Sequence, residues 1–152
     1  VSSMIIREAQ ISDIPQLMII RLAVKENILS NPALVPAADY ETYLTKRGKG
    51  WLYETNGNAV GFSVVDLMGN NVWALFVNPD NEGKGIGKQL HDEMLRWYFN
   101  QTKETIWLGT EPGTRAAMFY RNAGWADKGM RKNGEIRFEM TFDDWNKINA
   151  AK

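Results

Sequence analysis

Two spacings of apolar residues account for most of the chain. Ile136, Phe138, Met140 and Phe142 alternate with Arg137, Glu139 and Thr141, the period of two expected of a strand with one buried face. Ile14, Leu17, Met18 and Leu22, and later Ile86, Leu90, Met94, Trp97 and Tyr98, recur at helical spacing instead, so each set makes one stripe on a helix. Turn residues set the boundaries between them. A strand over 4–7 is followed by Ser12, Asp13 and Pro15, which mark a helix start because proline fits where first-turn N–H groups lack intrahelical partners. That helix is predicted to run to about Leu29 and to break at Ser30-Asn31-Pro32. A shorter helix over 39–46 ends at Gly48 and Gly50. Strands over 51–54 and 60–67 are joined by Asn56-Gly57-Asn58, a strong hairpin signal, and Gly69-Asn70-Asn71 leads into a strand over 72–77. After the second striped helix, which ends near Asn100, come a buried strand over 105–108 and a helix over 114–123 stopped by Gly124. Two strands over 125–131 and 136–142, turning at Lys132-Asn133-Gly134, complete the chain. This order predicts an α/β (α+β) fold: a single mixed, mostly antiparallel sheet of about seven strands flanked by helices. No repeat, low-complexity tract or linker interrupts it. Residues 1–152 therefore read as one domain, long enough to bury a core without staples.

Composition works mainly by exclusion. Eighteen basic and eighteen acidic residues leave no net charge, so no overall field attracts nucleic acid or anionic lipid, and neither is expected as a partner. Without cysteine there is no disulfide framework, thiol nucleophile or thiolate metal site. The single histidine, His91, argues against a His-based zinc centre, and no metal is expected. No apolar run could span a bilayer and no signal-peptide pattern opens the chain, so a cytoplasmic location is the expectation. Charge is uneven locally. Between Glu111 and Lys132 stand Arg115, Arg121, Lys128, Arg131 and Lys132 against Glu111 and Asp127, which suits a polyanionic cofactor, although a solvated basic face is the commoner explanation.

Chemistry concentrates in 72–95, VWALFVNPDNEGKGIGKQLHDEML, where a buried strand meets a glycine-rich loop and then a helix. Gly83, Gly85 and Gly87 let the backbone pass close to a ligand, and the free N–H groups of a first helical turn receive an anion. The pattern marks a pyrophosphate seat, with an ordinary strand-to-helix turn as the plain alternative. A P-loop is excluded, because Gly87-Lys88 is followed by Gln89 and has Glu82 five positions before Gly87 where Gly is needed. The dinucleotide fingerprint fails as well, since its third Gly would fall on Lys88 or Leu90. What remains is Val77-x-Pro79-x-x-Glu82-Gly83-x-Gly85-Ile86-Gly87-x-x-Leu90. It resembles the acyl-CoA-binding motif of the GNAT superfamily of N-acetyltransferases, in which Gln or Arg, two residues, Gly, one residue, then Gly or Ala wraps the CoA pyrophosphate. Glu82 stands at the Gln/Arg position, and a carboxylate beside a pyrophosphate costs Coulomb energy unless it turns away. The resemblance therefore implies that the backbone from Glu82 through Gly83, Lys84, Gly85, Ile86, Gly87 and Lys88 holds the phosphates, aided by the two lysine ammonium groups.

A second segment, GTRAAMFYRNAGW at 113–125, resembles the superfamily's second conserved block, commonly Asn-x-x-Ala-x-x-Phe/Leu-Tyr-x-x-x-Gly-Phe. Arg115, Ala116, Phe119, Tyr120 and Gly124 match, Trp125 replaces Phe, and Gly113 replaces an Asn that normally contacts the cofactor arm. Two motifs in the right order are far less probable by chance than one. The resemblance implies an enzyme that uses acetyl-CoA as co-substrate and passes the acetyl group directly to a primary amine. It further implies that two central strands splay, that amides at Phe76 and Val77 hold the pantetheine arm and polarise the thioester carbonyl, that Arg115 adds a cofactor contact, and that Tyr120 gives its proton to the departing thiolate. A phenol titrating near pH 10 can donate while resting neutral. On spacing alone, Phe119-Tyr120 reads more readily as just the apolar face of a helix; the matched motif reverses that preference. The acceptor pocket in this superfamily usually forms from the first two helices and the loop after them, which points to Glu26, Asn27 and Tyr40, joined by Trp73. For the base, Glu26, Asp66, Glu111 and His91 stand beside a water relay, and His91 reads as structural. The acceptor is left open among small amines, amino acids and protein termini or lysines, and the superfamily commonly forms homodimers. A non-catalytic acyl-CoA sensor would keep the glycines without needing Tyr120.

Overall fold

The computed structural model describes residues 4–24 and 35–150. Among them lie seven strands, β1 (Met4–Glu8), β2 (Gly48–Thr55), β3 (Asn58–Asp66), β4 (Asn71–Val77), β5 (Ile106–Thr110), β6 (Ala126–Met130) and β7 (Ile136–Met140). Five α-helices accompany them, α1 (Ile14–Ala23), α2 (Ala37–Thr42), α3 (Ile86–Gln101), α4 (Arg115–Asn122) and α5 (Phe142–Ala150). The strands make one mixed sheet, as the element order predicts, and the structure gives its order as β1-β2-β3-β4-β5-β7-β6. The chain divides into two compact units, Val1–Tyr98 and Phe99–Lys152.

In the first unit β1 to β4 form an antiparallel meander. Asn56 and Gly57 both have positive φ (52° and 82°), the two-residue turn whose twist matches the flanking strands. Register then places Leu52 opposite Phe62 and Val64 opposite Ala74, and these join Leu17, Ile20, Tyr40 and Leu44 in a core between sheet and helices. Val64 pairs with Ala74 but Val65 with Val72, so Trp73 is the extra residue of a β-bulge. It thereby leaves the strict alternation and packs with Ala74 and Phe76 against the same core.

Three boundaries in this unit differ from expectation. α1 is preceded by a 3-10 turn, Ile11–Asp13, and ends at Ala23, because β-branched Val24 is extended (φ −83°, ψ 107°). The predicted break at residues 30–32 lies outside the described residues. α2 continues as a π-turn, Tyr43–Arg47, that ends with Arg47 clamped on Asp66 (2.8 and 3.1 Å). β2 starts at Gly48, earlier than predicted, since Gly48, Lys49 and Gly50 already pair with Asp66, Val65 and Val64.

Asp13 fastens the start of α1 to the sheet. Only 5 % exposed, it accepts from Arg7 Nη1 and Nη2 (both 2.9 Å) and from the Gln10 amide (2.7 Å). Those Arg7 hydrogen bonds, above all, hold its carboxyl below the usual range. A depressed folded value stabilises above the unfolded pKa and is lost as pH falls through the folded one. Asp13→Asn should therefore lower unfolding free energy by about 2 kcal/mol at pH 7 and flatten the loss of stability below about pH 4. Urea melts at pH 7 and pH 3 measure both effects.

In the second unit β5, β7 and β6 are antiparallel neighbours, and Ile136, Phe138 and Met140 are buried as the alternation predicts. Thr114 caps α4, its Oγ1 accepting from the Ala117 amide (3.2 Å). The predicted last strand stops at Met140. Thr141 Oγ1 accepts from the Asp144 amide (3.1 Å), and Asp143 and Asp144 occupy the first turn of α5, a helix absent from the sequence reading. Phe142 thus leaves the strand pattern and meets Phe99 edge-on at 5.7 Å, while Trp145 stacks on the same ring at 6.3 Å.

Candidate functional site

β4 hands directly into the glycine loop. Asn78 Oδ1 accepts from the Asp80 amide (3.0 Å), fixing a short 3-10 turn at Pro79–Asn81, and Glu82 is extended. Gly83 and Gly85 then both take φ +79°, a region that costs an L residue about 1–2 kcal/mol. No atom lies within 4 Å of a Cβ built at either position, so conformation and not crowding selects glycine. α3 begins at once, and its first donor is the Gln89 amide, bonded to the Gly85 carbonyl at 3.2 Å. The amides of Ile86, Gly87 and Lys88 precede that donor, so they face off the helix end, where the dipole favours an anion. Ile86 and Leu90 are buried and anchor the turn. They come so near β3 that a Cβ on Gly61 would meet Leu90 Cδ1 at 3.0 Å and the Phe76 carbonyl at 3.2 Å.

The charges around the loop are exposed. Lys84 and Ile86 line a cleft of about 250 Å³ shared with Met4, Tyr53 and Asn56. Lys88 Nζ stands 3.1 Å from Asp92 Oδ2, a solvent-facing pair worth only a few tenths of a kcal/mol and so easily exchanged. Glu82 is exposed at the start of the loop. His91 is buried, with Nδ1 2.9 Å from Asp92 Oδ1. Asp66, a candidate base by sequence, is committed to Arg47 and to the Gly69 amide (3.1 Å). Glu111 is buried and engaged with neighbours. Glu26 and Asn27 lie outside the described residues.

Other candidates of the first unit converge. Phe76 and Val77 pair with Phe62 and Gly61 at the end of β4. Tyr40, 1 % exposed, meets Trp73 edge-on at 5.0 Å, Tyr43 stacks on Trp73 at 4.5 Å, and Phe76 lies 5.8 Å from Phe62. Sequence reading missed the cation within this group. Arg21 places its guanidinium carbon 5.3 Å from the Trp73 ring centre and 4.9 Å from that of Phe76. A signal existed: Arg21 is one helical turn from Leu17, on the buried face of α1, whereas Leu22 of the assumed stripe is 56 % exposed.

In the second unit Arg115 is exposed at the start of α4, and Tyr120 is buried on the inner face of that helix. The Tyr120 ring stands edge-on to Phe119 (5.3 Å) and Trp125 (5.5 Å) and tilted over Phe138 (6.1 Å). Burial pushes its phenol above the ordinary value, which holds it as a neutral hydrogen-bond donor. Among the described residues no three His, Cys, Asp or Glu side chains are grouped to hold a metal, and no helix is long and apolar enough to cross a membrane.

The model of the acetyltransferase (GNAT) family matches residues 17–125. In structure the chain is similar to the ribosomal-protein-S18-alanine N-acetyltransferase of Escherichia coli, with a TM-score of 0.74 and 16 % identity over 92 % of this chain and 94 % of that one. It is also similar to the PaiA N-acetyltransferase of Thermoplasma acidophilum, solved in complex with coenzyme A (TM-score 0.72, 16 % identity, 91 % and 99 % covered). YncA of Salmonella typhimurium, solved with its cofactor acetyl-CoA, gives a TM-score of 0.73 at 18 % identity, with 92 % and 94 % covered. At these identities the likeness is one of fold. No curated protein sequence matches the chain.

Proposed function

Since the chain belongs to the acetyltransferase (GNAT) family, we propose that it binds acetyl-CoA and passes the acetyl group directly to a primary amine within a ternary complex. The observation that carries this reading is the pair of left-handed glycines, Gly83 and Gly85, opening the 16-residue helix α3. Successive amides turned to one side in this way form a concave donor set suited to phosphate oxygens. Such a set fits the diphosphate of CoA without a cationic clamp, which accommodates Glu82 at a position the superfamily gives to Gln or Arg. Lys84 and Lys88 add charge, with Asp92 surrendering Lys88 at little cost. Acetyl-CoA, when bound, supplies the activated thioester. Backbone amides at Phe76 and Val77 are assigned the polarisation of its carbonyl, because developing negative charge is best met by fixed dipoles. Tyr120 is assigned the proton that the leaving sulfur needs, and Arg115 a contact to the cofactor. The amine must reach the thioester neutral; with Asp66 and His91 committed to structural pairs, proton removal through water is the route these residues leave most open.

The test is thiol release by the full chain supplied with acetyl-CoA and a broad panel of amines. Release that depends on both components is the expected result. Binding of CoA with no release across the panel would favour a non-catalytic acyl-CoA sensor, which needs the glycines but no proton donor.

A further inference from the structure

Arg21 is nine-tenths buried, and among the described residues neither its Nε nor its Nη1 has a hydrogen-bond partner. Six other arginines of the chain are handled differently. Arg7, Arg47, Arg96, Arg121, Arg131 and Arg137 each lie within 3.1 Å of a carboxylate oxygen. Aromatic faces attract the Arg21 guanidinium from Trp73 and Phe76, but ring contacts leave its N–H groups without acceptors. Tyr40 is the polar neighbour in this group: burial pushes its phenol up, and the charge and donated hydrogen bond of Arg21 oppose that rise. One hydroxyl cannot neutralise a buried cation. Removing a charge from water without a counter-charge is costly, and folded proteins keep such a group where something else brings the opposite charge.

The surroundings identify what that is. Trp73 and Phe76 are only partly buried, so the cation lies at the margin of the core. Trp73 is there because the β4 bulge turned it to this side, and Phe76 is the residue assigned above to the reacting carbonyl. We infer that the acceptor is an amino carboxylate, and that Arg21 receives its carboxylate between Trp73 and Phe76 while its amine is acetylated. The inference rests on the acetyltransferase reading for the chemistry at the amine, but the anion subsite stands on the Arg21 geometry alone. It selects amino acids and short peptides whose amine lies near a carboxylate over simple alkylamines.

The experiment pairs each amino acid of a panel with its carboxamide and its decarboxylated amine, and measures thiol release from acetyl-CoA and thermal shift for wild type and Arg21→Met. Expected are at least a tenfold higher kcat/KM for carboxylates, a melting-temperature rise with carboxylate ligands only, and loss of both preferences in Arg21→Met. The unliganded variant should melt no lower than wild type, because a buried guanidinium with no ion-pair partner among the described residues has been replaced by an unbranched apolar side chain. A retained carboxylate preference in Arg21→Met, or turnover indifferent to the carboxylate, overturns the inference while leaving the acetyltransferase reading in place. A carboxylate-dependent shift that Arg21→Met abolishes, without thiol release from any amine, upholds the subsite and removes the enzymatic reading. Neither release nor shift overturns both.

Discussion

Tyr120→Phe is expected to lower kcat about a hundredfold at neutral pH, the lower range for loss of one general acid, with KM for acetyl-CoA nearly unchanged. The phenol sits among Phe119, Trp125 and Phe138, and its removal takes away one hydroxyl without opening a cavity. Stability should fall by no more than about 1 kcal/mol, so the variant can be compared as a folded protein. The pH dependence adds a second check. Burial raises the phenol, so the proton is retained through the range where an exposed tyrosine would begin to lose it. Wild-type kcat should therefore show no alkaline decline from this group below about pH 10. For stability the sign is the same: the contribution is complete below the unfolded value and lost as pH rises through the folded one. Steady-state kinetics between pH 6 and 10, with a pre-steady-state burst to identify the slow step, decide it. Unchanged turnover with chemistry rate-limiting would remove Tyr120 from the reaction.

Features legible in the sequence are those whose causes are local. The Asn56-Gly57 turn needs two adjacent positive φ values, and the residues that tolerate them announce it. The alternation at 136–140 and the stripe of α3 follow from which side chains must reach the core. α5 was hidden because Phe142 continues the strand alternation, and only the Thr141 hydroxyl capping the Asp144 amide reveals the change of direction. The bulge at Trp73 depends on register between β3 and β4, which no single segment encodes. Arg21 was passed over for a related reason. A charged residue within an apolar stripe reads as a solvent position until its neighbours are known, and those neighbours come from another strand. The glycine loop proposed for the cofactor was thus open to sequence reasoning, whereas the proposed acceptor subsite, assembled from α1, α2 and β4, was not.

Gly85→Val is expected to raise KM for acetyl-CoA about thirtyfold while leaving kcat at saturation close to wild type. At φ +79° a β-branched side chain is strained by about 2 kcal/mol or more, which corresponds to that factor if the strain is relieved by abandoning the loop conformation. The relaxed loop would re-aim the amides on either side of residue 85, and with them the donors proposed for the diphosphate. Because a Cβ at 85 meets nothing within 4 Å and the loop is exposed, the fold has little to lose, and the melting temperature should change little. Binding and stability therefore separate at this position, which distinguishes a cofactor seat from a turn that merely joins strand to helix. Titration of CoA followed by heat release supplies an affinity independent of turnover, and the same factor should appear there. An unaltered affinity in a variant whose loop has demonstrably changed would place the diphosphate elsewhere and leave the two left-handed glycines with only a connecting role.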